Sequence, residues 1–218
     1  MKKNDPELGK QSSANERIAR ENRVVLDDAG VFAVNLMSAP GAGRTTLIWE
    51  SICGLKDRLR VGVIEGSVTA RPDSLPPAAS GAIAVHVNTG GKCRLDARML
   101  RTALVKMDLH AIDLLLVENI GSLVCPAGFT PGTHRNVLVA STSEGDETPF
   151  HYPGMYSSVD VVVINKTDLL PYVPFRMDHY QKAVTALNPG ALQLSVSCQT
   201  GAGMHKWLAW LKAQVKMH

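Results

Sequence analysis

The sequence has no run of about 18 apolar residues, so nothing in it reads as a membrane span. Its opening stretch, MKKNDPELGKQSSANERIARENR, carries basic residues but lacks the apolar core of a secretory signal, and the expected location is the cytoplasm. Cysteine is scarce. Cys53, Cys93, Cys125 and Cys198 are widely spaced with no C-x-x-C pair, which suits a reducing compartment better than a disulfide framework. An excess of one charge is missing too: 23 Lys and Arg against 20 Asp and Glu leave +3, too little to argue for nucleic acid. There is no internal repeat, low-complexity tract or linker. What remains is 218 residues, 45% hydrophobic and 20% charged, an ordinary composition for one large domain with a full core.

Residues 1–12 are polar and are expected to form a flexible N-terminal segment, with a single domain over 13–218. A helix is expected over 13–28, where Ile18, Val25 and Leu26 share one side and Ser13 with Glu16 fits a capping box. Short apolar runs follow at 31–37, 60–65, 82–87, 113–119, 136–140, 160–165 and 192–197. Strands this apolar are buried on both faces, as in a parallel sheet covered by helices. Helical patterns fall between them at 44–57, 96–109, 175–187 and 203–215. The alternation predicts an α/β fold: a doubly wound, mostly parallel sheet with helices on both faces. The stretch 66–81, with its prolines, reads as irregular.

The first run leads into Ser38-Ala39-Pro40-Gly41-Ala42-Gly43-Arg44-Thr45. This is close to the phosphate-binding pattern G-x-x-x-x-G-K-[ST], in the right place between a strand and a helix. Gly41 and Gly43 allow the backbone N–H groups around Ala42 to turn toward phosphate oxygens. The helix beginning near Arg44, with Thr45 and Thr46 in its first turn, points its positive end at the same spot. Thr45 offers a hydroxyl for Mg²⁺. Two positions depart: Ser38 stands for glycine, and Arg44 for the lysine, which is slimmer than a planar guanidinium. On this loop alone, a P-loop NTPase site and a ligand-free Gly-rich turn stand level.

Asn165-Lys166-Thr167-Asp168, at the end of the run DVVVI, tips the balance toward guanine. A carboxylate at Asp168 can accept from both the ring N1–H and the exocyclic amine, a pair adenine does not present. The Lys166 stem can lie along the purine face. Ser197-Cys198-Gln199-Thr200-Gly201 follows the last run and is similar to the loop that backs the base in GTPases. Glu118 ends the run DLLLVE, where a carboxylate can hold Mg²⁺ through water, and Gly121 is placed for a γ-phosphate contact.

Taken together, ANERIARENR, SAPGAGRTTL, VIEG, VNTGGKCRLDARM, VENIGSLVCPA, TSEGDETPFHYPGMY, VVVINKTDLLPY and SCQTGAGMHKWLAWL resemble, in order, the hydrogenase nickel-incorporation GTPases, the HypB family. The resemblance runs from about residue 14 to 211. It implies a P-loop GTPase using GTP or GDP and Mg²⁺, with Arg44, Thr45 and Glu118 as catalytic residues. It also implies a GTP-dependent homodimer with Ni²⁺ or Zn²⁺ at its interface. The expected partners are a second maturation factor and a hydrogenase large-subunit precursor. By the same resemblance, Cys93 and Cys125 match the interfacial metal-binding cysteines.

The chain departs from the family's pattern in three chemical positions. Lysine is replaced by Arg44, an aspartate after VIEG by Ser67, and the histidine beside the first cysteine by Arg94. Arg94 cannot ligate, though a neighbouring cation can favour a thiolate. The family's N-terminal nickel motif and histidine-rich stretch have no counterpart in these residues, and the seven histidines are scattered. His86 is read as a satisfied core residue, Cys53 and Cys198 as structural, and His151 is assigned no role. The expected function is a metallochaperone for [NiFe]-hydrogenase that hydrolyses GTP slowly. The alternatives are a non-catalytic nucleotide-binding scaffold and a GTPase serving another metalloenzyme.

Overall fold

The computed structural model describes residues 6–68, 82–123 and 130–218, with the backbone alone for 6–12. Seven strands form one sheet: β1 (Phe32–Ser38), β2 (Val61–Ser67), β3 (Ile83–Asn88), β4 (Leu114–Glu118), β5 (Arg135–Ser141), β6 (Val161–Asn165) and β7 (Leu192–Ser195). They lie in the order β3-β2-β4-β1-β5-β6-β7, and every pairing is parallel. All seven apolar runs are strands of one sheet. Because the strands are parallel, their C-terminal ends share one edge, and the chain leaves the central strand β1 in one direction and returns past it in the other. Ligands of such sheets bind at that reversal.

The sheet's two faces separate by residue parity. Val34, Leu36, Val137, Val139, Val161 and Val163 pack with α2 (Arg44–Leu55) and α7 (Met204–Met217). Ala33, Leu115 and Val117 face the other way, beside α1 (Pro6–Asp28) and α3 (Ala97–Leu104). Leu138, Ala140, Val162 and Ile164 share that second side with the short helices α4 (Thr148–His151) and α5 (Pro153–Tyr156) and with α6 (Met177–Leu187). A period of two over nearly continuous apolar runs is what double-sided burial demands. Trp207 on α7 is fully buried, and its indole N–H donates to Ser51 Oγ on α2 at 2.8 Å. The bond satisfies the one polar atom that such a ring would otherwise strand in the core.

Several boundaries differ from expectation. The first helix starts at Pro6, so Ser13 and Glu16 lie inside it and do not cap it. Proline fits a first helical position, and Glu7, Leu8, Lys10 and Gln11 are good helix formers, so the pattern extends past the local cap signal. α3 ends at Leu104 because the chain turns there to bury Met107 and Ile112. Most of the proline-bearing stretch, 69–81, lies outside the described residues. His86 is on β3, at the sheet's edge, half-buried. Among the described residues its ring nitrogens have no hydrogen-bond partner, and the nearest carboxylate, Glu65, is 4.0 Å away, so it is not the satisfied core histidine expected.

Helix α1 is held to α3 and to the segment before β5 by buried polar groups. Asn22 Nδ2 donates to the carbonyls of Ala97 and Pro131, and Arg101 Nε donates to Asn22 Oδ1. Asn15 accepts from Ala97 N and donates to Thr130 O. At the helix's end, His134 substitutes for a missing piece of strand. Its backbone N donates to Ala33 O, and its ring Nδ1 accepts from Ala33 N at 2.8 Å. That leaves the proton on Nε2, which donates to Asp27 Oδ1 at 2.7 Å.

Burial depresses the His134 pKa from 6.5 to about 4, against the opposing pull of Asp27. A group lowered in this way adds stability above its unfolded value, and that stability is lost as pH falls from 6.5 toward about 4. Replacing His134 with Ala strands the buried Ala33 N–H. The expected loss at neutral pH is about 1–3 kcal/mol. The acid limb of a stability curve measured by urea denaturation should also flatten across that window.

Candidate functional site

The residues singled out for nucleotide converge on the C-terminal edge of the sheet. β1 ends at Ser38, the loop turns over Gly41 and Gly43, and α2 begins at Arg44. Gly41 (φ 81°) and Gly43 (φ 91°) are both left-handed. At Gly43 a Cβ would also stand 2.5 Å from Asn165 Nδ2, so glycine is required there twice over.

The N-K-x-D motif is bonded directly to this loop. Asn165 Nδ2 donates to Ala42 O at 3.0 Å, and Lys166 Nζ donates to Gly41 O at 2.7 Å. Asn165 Oδ1 also accepts from Cys198 N at 3.2 Å. Lys166 has φ 59°, the one left-handed non-glycine among the described residues. Strain of this kind persists where neighbours over-determine a conformation. Here Thr142 Oγ1 holds the Lys166 carbonyl, while Thr167 N and Oγ1 both donate to Val196 O. Asp168 Oδ1 accepts from Ser197 Oγ, which in turn accepts from Thr200 N. The serine thus aims the carboxylate. Burial pushes the Cys198 thiol up to about 11, which disfavours the thiolate. Thr46 is exposed at the start of α2.

Glu118, 4% exposed, ends β4 next to β1. Its Oε1 accepts from Thr45 Oγ1 at 2.5 Å and from Arg44 Nε at 3.1 Å, and Arg44 Nη1 donates to Ser38 Oγ at 3.1 Å. The expected trio Arg44, Thr45 and Glu118 is therefore together, but the guanidinium is folded onto the carboxylate. Gly121 sits beside Pro40 of the loop. Ser67 ends β2, paired through Asn88 to β3, and its hydroxyl brings no charge to the edge.

A buried asparagine network was not anticipated. Asn35, inside β1, accepts from Asn119 Nδ2 and donates to Asn136 Oδ1. Asn119 Oδ1 accepts from Ile120 N and from Leu95 N at 2.7 Å. The residue following the carboxylate Glu118 thereby holds the loop that carries Cys93 and Arg94. The available signal was the lone polar residue in the apolar run FAVNLM.

Cys93 lies in that loop and is disulfide-bonded, and Cys125 is outside the described residues. A sulfur in a disulfide does not ligate as a thiolate, so metal binding at Cys93 requires the reduced form. Burial lowers the pKa of the neighbouring Arg94. Among the described residues Asp27, His134 and His218 bring three potential ligand atoms within 4.8 Å of one another. The Ala33 N–H on His134 Nδ1 forces the Nε2 proton to stay, which opposes metal binding there. Glu144, in TSEG, has its carboxyl pushed up to about 7 by burial.

A family model described as "CobW/HypB/UreG, nucleotide-binding domain" matches residues 32–195. The hydrogenase maturation factor HypB of Rhizobium leguminosarum bv. viciae is 40% identical over 200 residues, 92% of this chain and 67% of that protein. The probable hydrogenase maturation factor HypB of Methanocaldococcus jannaschii is 40% identical over 203 residues, covering 93% of this chain and 92% of the relative. The chain belongs to the HypB family. The crystal structure of HypB from Helicobacter pylori in complex with nickel superposes with a TM-score of 0.88 at 28% identity, over 94% of this chain and 96% of that one. The HypB fold accounts for the all-parallel sheet and for a nucleotide-binding domain spanning most of the length. The chain spans about two thirds of the Rhizobium relative and nearly all of the archaeal one. No helix among the described residues is long and apolar enough to cross a membrane.

Asp168→Asn replaces one acceptor with a donor. GDP affinity should fall about 10- to 150-fold, the range for a hydrogen bond to a charged group. Xanthosine diphosphate, whose 2-oxo group accepts, should gain relative to GDP in the same calorimetric titration.

Proposed function

We propose that this chain is a GTP-binding metallochaperone that hydrolyses GTP slowly and assists nickel insertion into a [NiFe]-hydrogenase precursor. One observation carries the nucleotide part: Asn165 and Lys166 donate into the carbonyls of the Gly41–Ala42 turn, so base site and phosphate loop are one bonded unit. The maturation role follows from the relatives, which are named hydrogenase maturation factors, and from the nickel in the Helicobacter structure. Nickel is the cargo. Cys93 and Cys125, once reduced, are its ligands, with zinc as the other metal such a thiolate pair accepts. A GTP-dependent homodimer would bring two such pairs together. A second maturation factor and the large-subunit precursor would be the partners in transfer. The bond from Leu95 N to Asn119 gives a path by which a nucleotide at Glu118 alters the cysteine loop.

Hydrolysis needs charge neutralised at the departing phosphate. The loop's inward N–H groups and the α2 N-terminus supply part of it. Mg²⁺ fits the present arrangement poorly, because the Glu118 carboxylate beside Thr45 is already paired with the Arg44 guanidinium, whose fixed positive charge opposes a second cation. That contact favours a second reading, a nucleotide-binding scaffold that does not turn over.

Single-turnover GTP hydrolysis separates the two. The double variant Arg44→Lys with Ser67→Asp should be faster than the parent by about tenfold or more, equivalent to roughly 1.4 kcal/mol of barrier. An unchanged rate with GTP still bound would establish the scaffold.

A further inference from the structure

We infer that Arg44 is a built-in counter-cation for Glu118, making guanine-nucleotide binding independent of Mg²⁺. The inference rests on the guanine-nucleotide reading above and goes on to say how its phosphate site is neutralised.

Arg44 is the first residue of α2, and Glu118 is the last of β4, the strand next to β1. Arg44 Nε donates to Glu118 Oε1 at 3.1 Å, with the two side chains only 13% and 6% exposed. Ser38, which stands where the general phosphate-loop pattern has glycine, supplies a second acceptor: its Oγ takes Arg44 Nη1 at 3.1 Å. The guanidinium is thus held at two points of its rigid fork, a geometry that lysine's single ammonium cannot reproduce. Thr45 Oγ1 completes the set on the same Oε1.

A divalent ion would find the carboxylate oxygen beside Thr45 already bearing the Arg44 guanidinium. It would also meet a fixed positive charge beside it, in a site with little water to screen the repulsion. A buried pair of this kind resists losing one partner, because the charge left behind has nothing to replace it. The carboxylate is already neutralised, so an incoming nucleotide does not face an uncompensated Glu118. Its phosphates meet the loop amides and the helix N-terminus, neither of which depends on a metal.

The test is GDP affinity of the full chain by calorimetry, in EDTA and in millimolar Mg²⁺, for the parent and for Arg44→Lys. Mn²⁺ serves as a spectroscopic probe of the carboxylate by electron paramagnetic resonance. The parent should bind GDP with less than about a threefold difference between the buffers, under about 0.7 kcal/mol. Before nucleotide is added, it should leave Mn²⁺ in the free spectrum. Arg44→Lys should acquire a dependence of about tenfold or more and should immobilise Mn²⁺. Ser38→Gly, which removes one anchor and keeps the arginine, should fall between the two. It supplies the comparison if the lysine variant does not fold. Parent binding that needs Mg²⁺, or bound Mn²⁺ in the parent, overturns the counter-cation and leaves the guanine reading intact. Absence of GDP binding in both buffers overturns both.

Discussion

Two side chains from one strand end hold the site together. Asn165 and Lys166 reach from β6 across β5 to the loop after β1 and donate to two successive carbonyls there. The consequences spread outward. Gly43 must be glycine because the Asn165 amide fills the space of a Cβ. Lys166 is driven into a left-handed conformation, and Thr142 and Val196 receive the backbone groups that this displaces. The loop after β7 is tied in through Cys198 N, and Ser197 then orients Asp168. The N-K-x-D turn and the glycine loop are therefore not two units that happen to adjoin. Each sets the backbone of the other.

Much of the fold was legible because burial on both faces leaves a simple record. An apolar run of five to seven residues between helical patterns has few other interpretations, and the strands fall within one or two residues of expectation. β7 is shorter than its run because Val196 and Ser197 are drawn into the base loop, where Val196 O serves Thr167. Helix ends were less legible. Ser13 and Glu16 have the chemistry of a cap but sit mid-helix, since nothing local stops the helix reaching back to Pro6. α3 stops early for a tertiary reason, the burial of Met107, which no local signal announces.

The site divides in the same way. Gly41, Gly43, Thr45, Asn165, Asp168 and Glu118 could be singled out in advance because their motifs are defined by spacing along the chain. What Arg44 does depends on Glu118, separated by 74 positions, and only coordinates bring them together. The asparagine network from Asn136 through Asn35 and Asn119 to Leu95 is also long-range, and only Asn35, out of place in its apolar strand, hinted at it. His134 shows why residue type alone misleads about metals. Beside Asp27 and His218 it has the composition of a ligand set, yet one backbone N–H on Nδ1 assigns its proton elsewhere.

The central claim is that a guanine is read at Asp168 while its phosphates rest on the loop from Gly41 to Thr45. Calorimetric titration of the purified chain with GDP, inosine diphosphate and ADP tests this most directly. The account predicts GDP tightest, inosine diphosphate weaker by about tenfold for the one missing amine, and ADP without measurable heat. Equal affinity for GDP and ADP, or none for GDP, would contradict it.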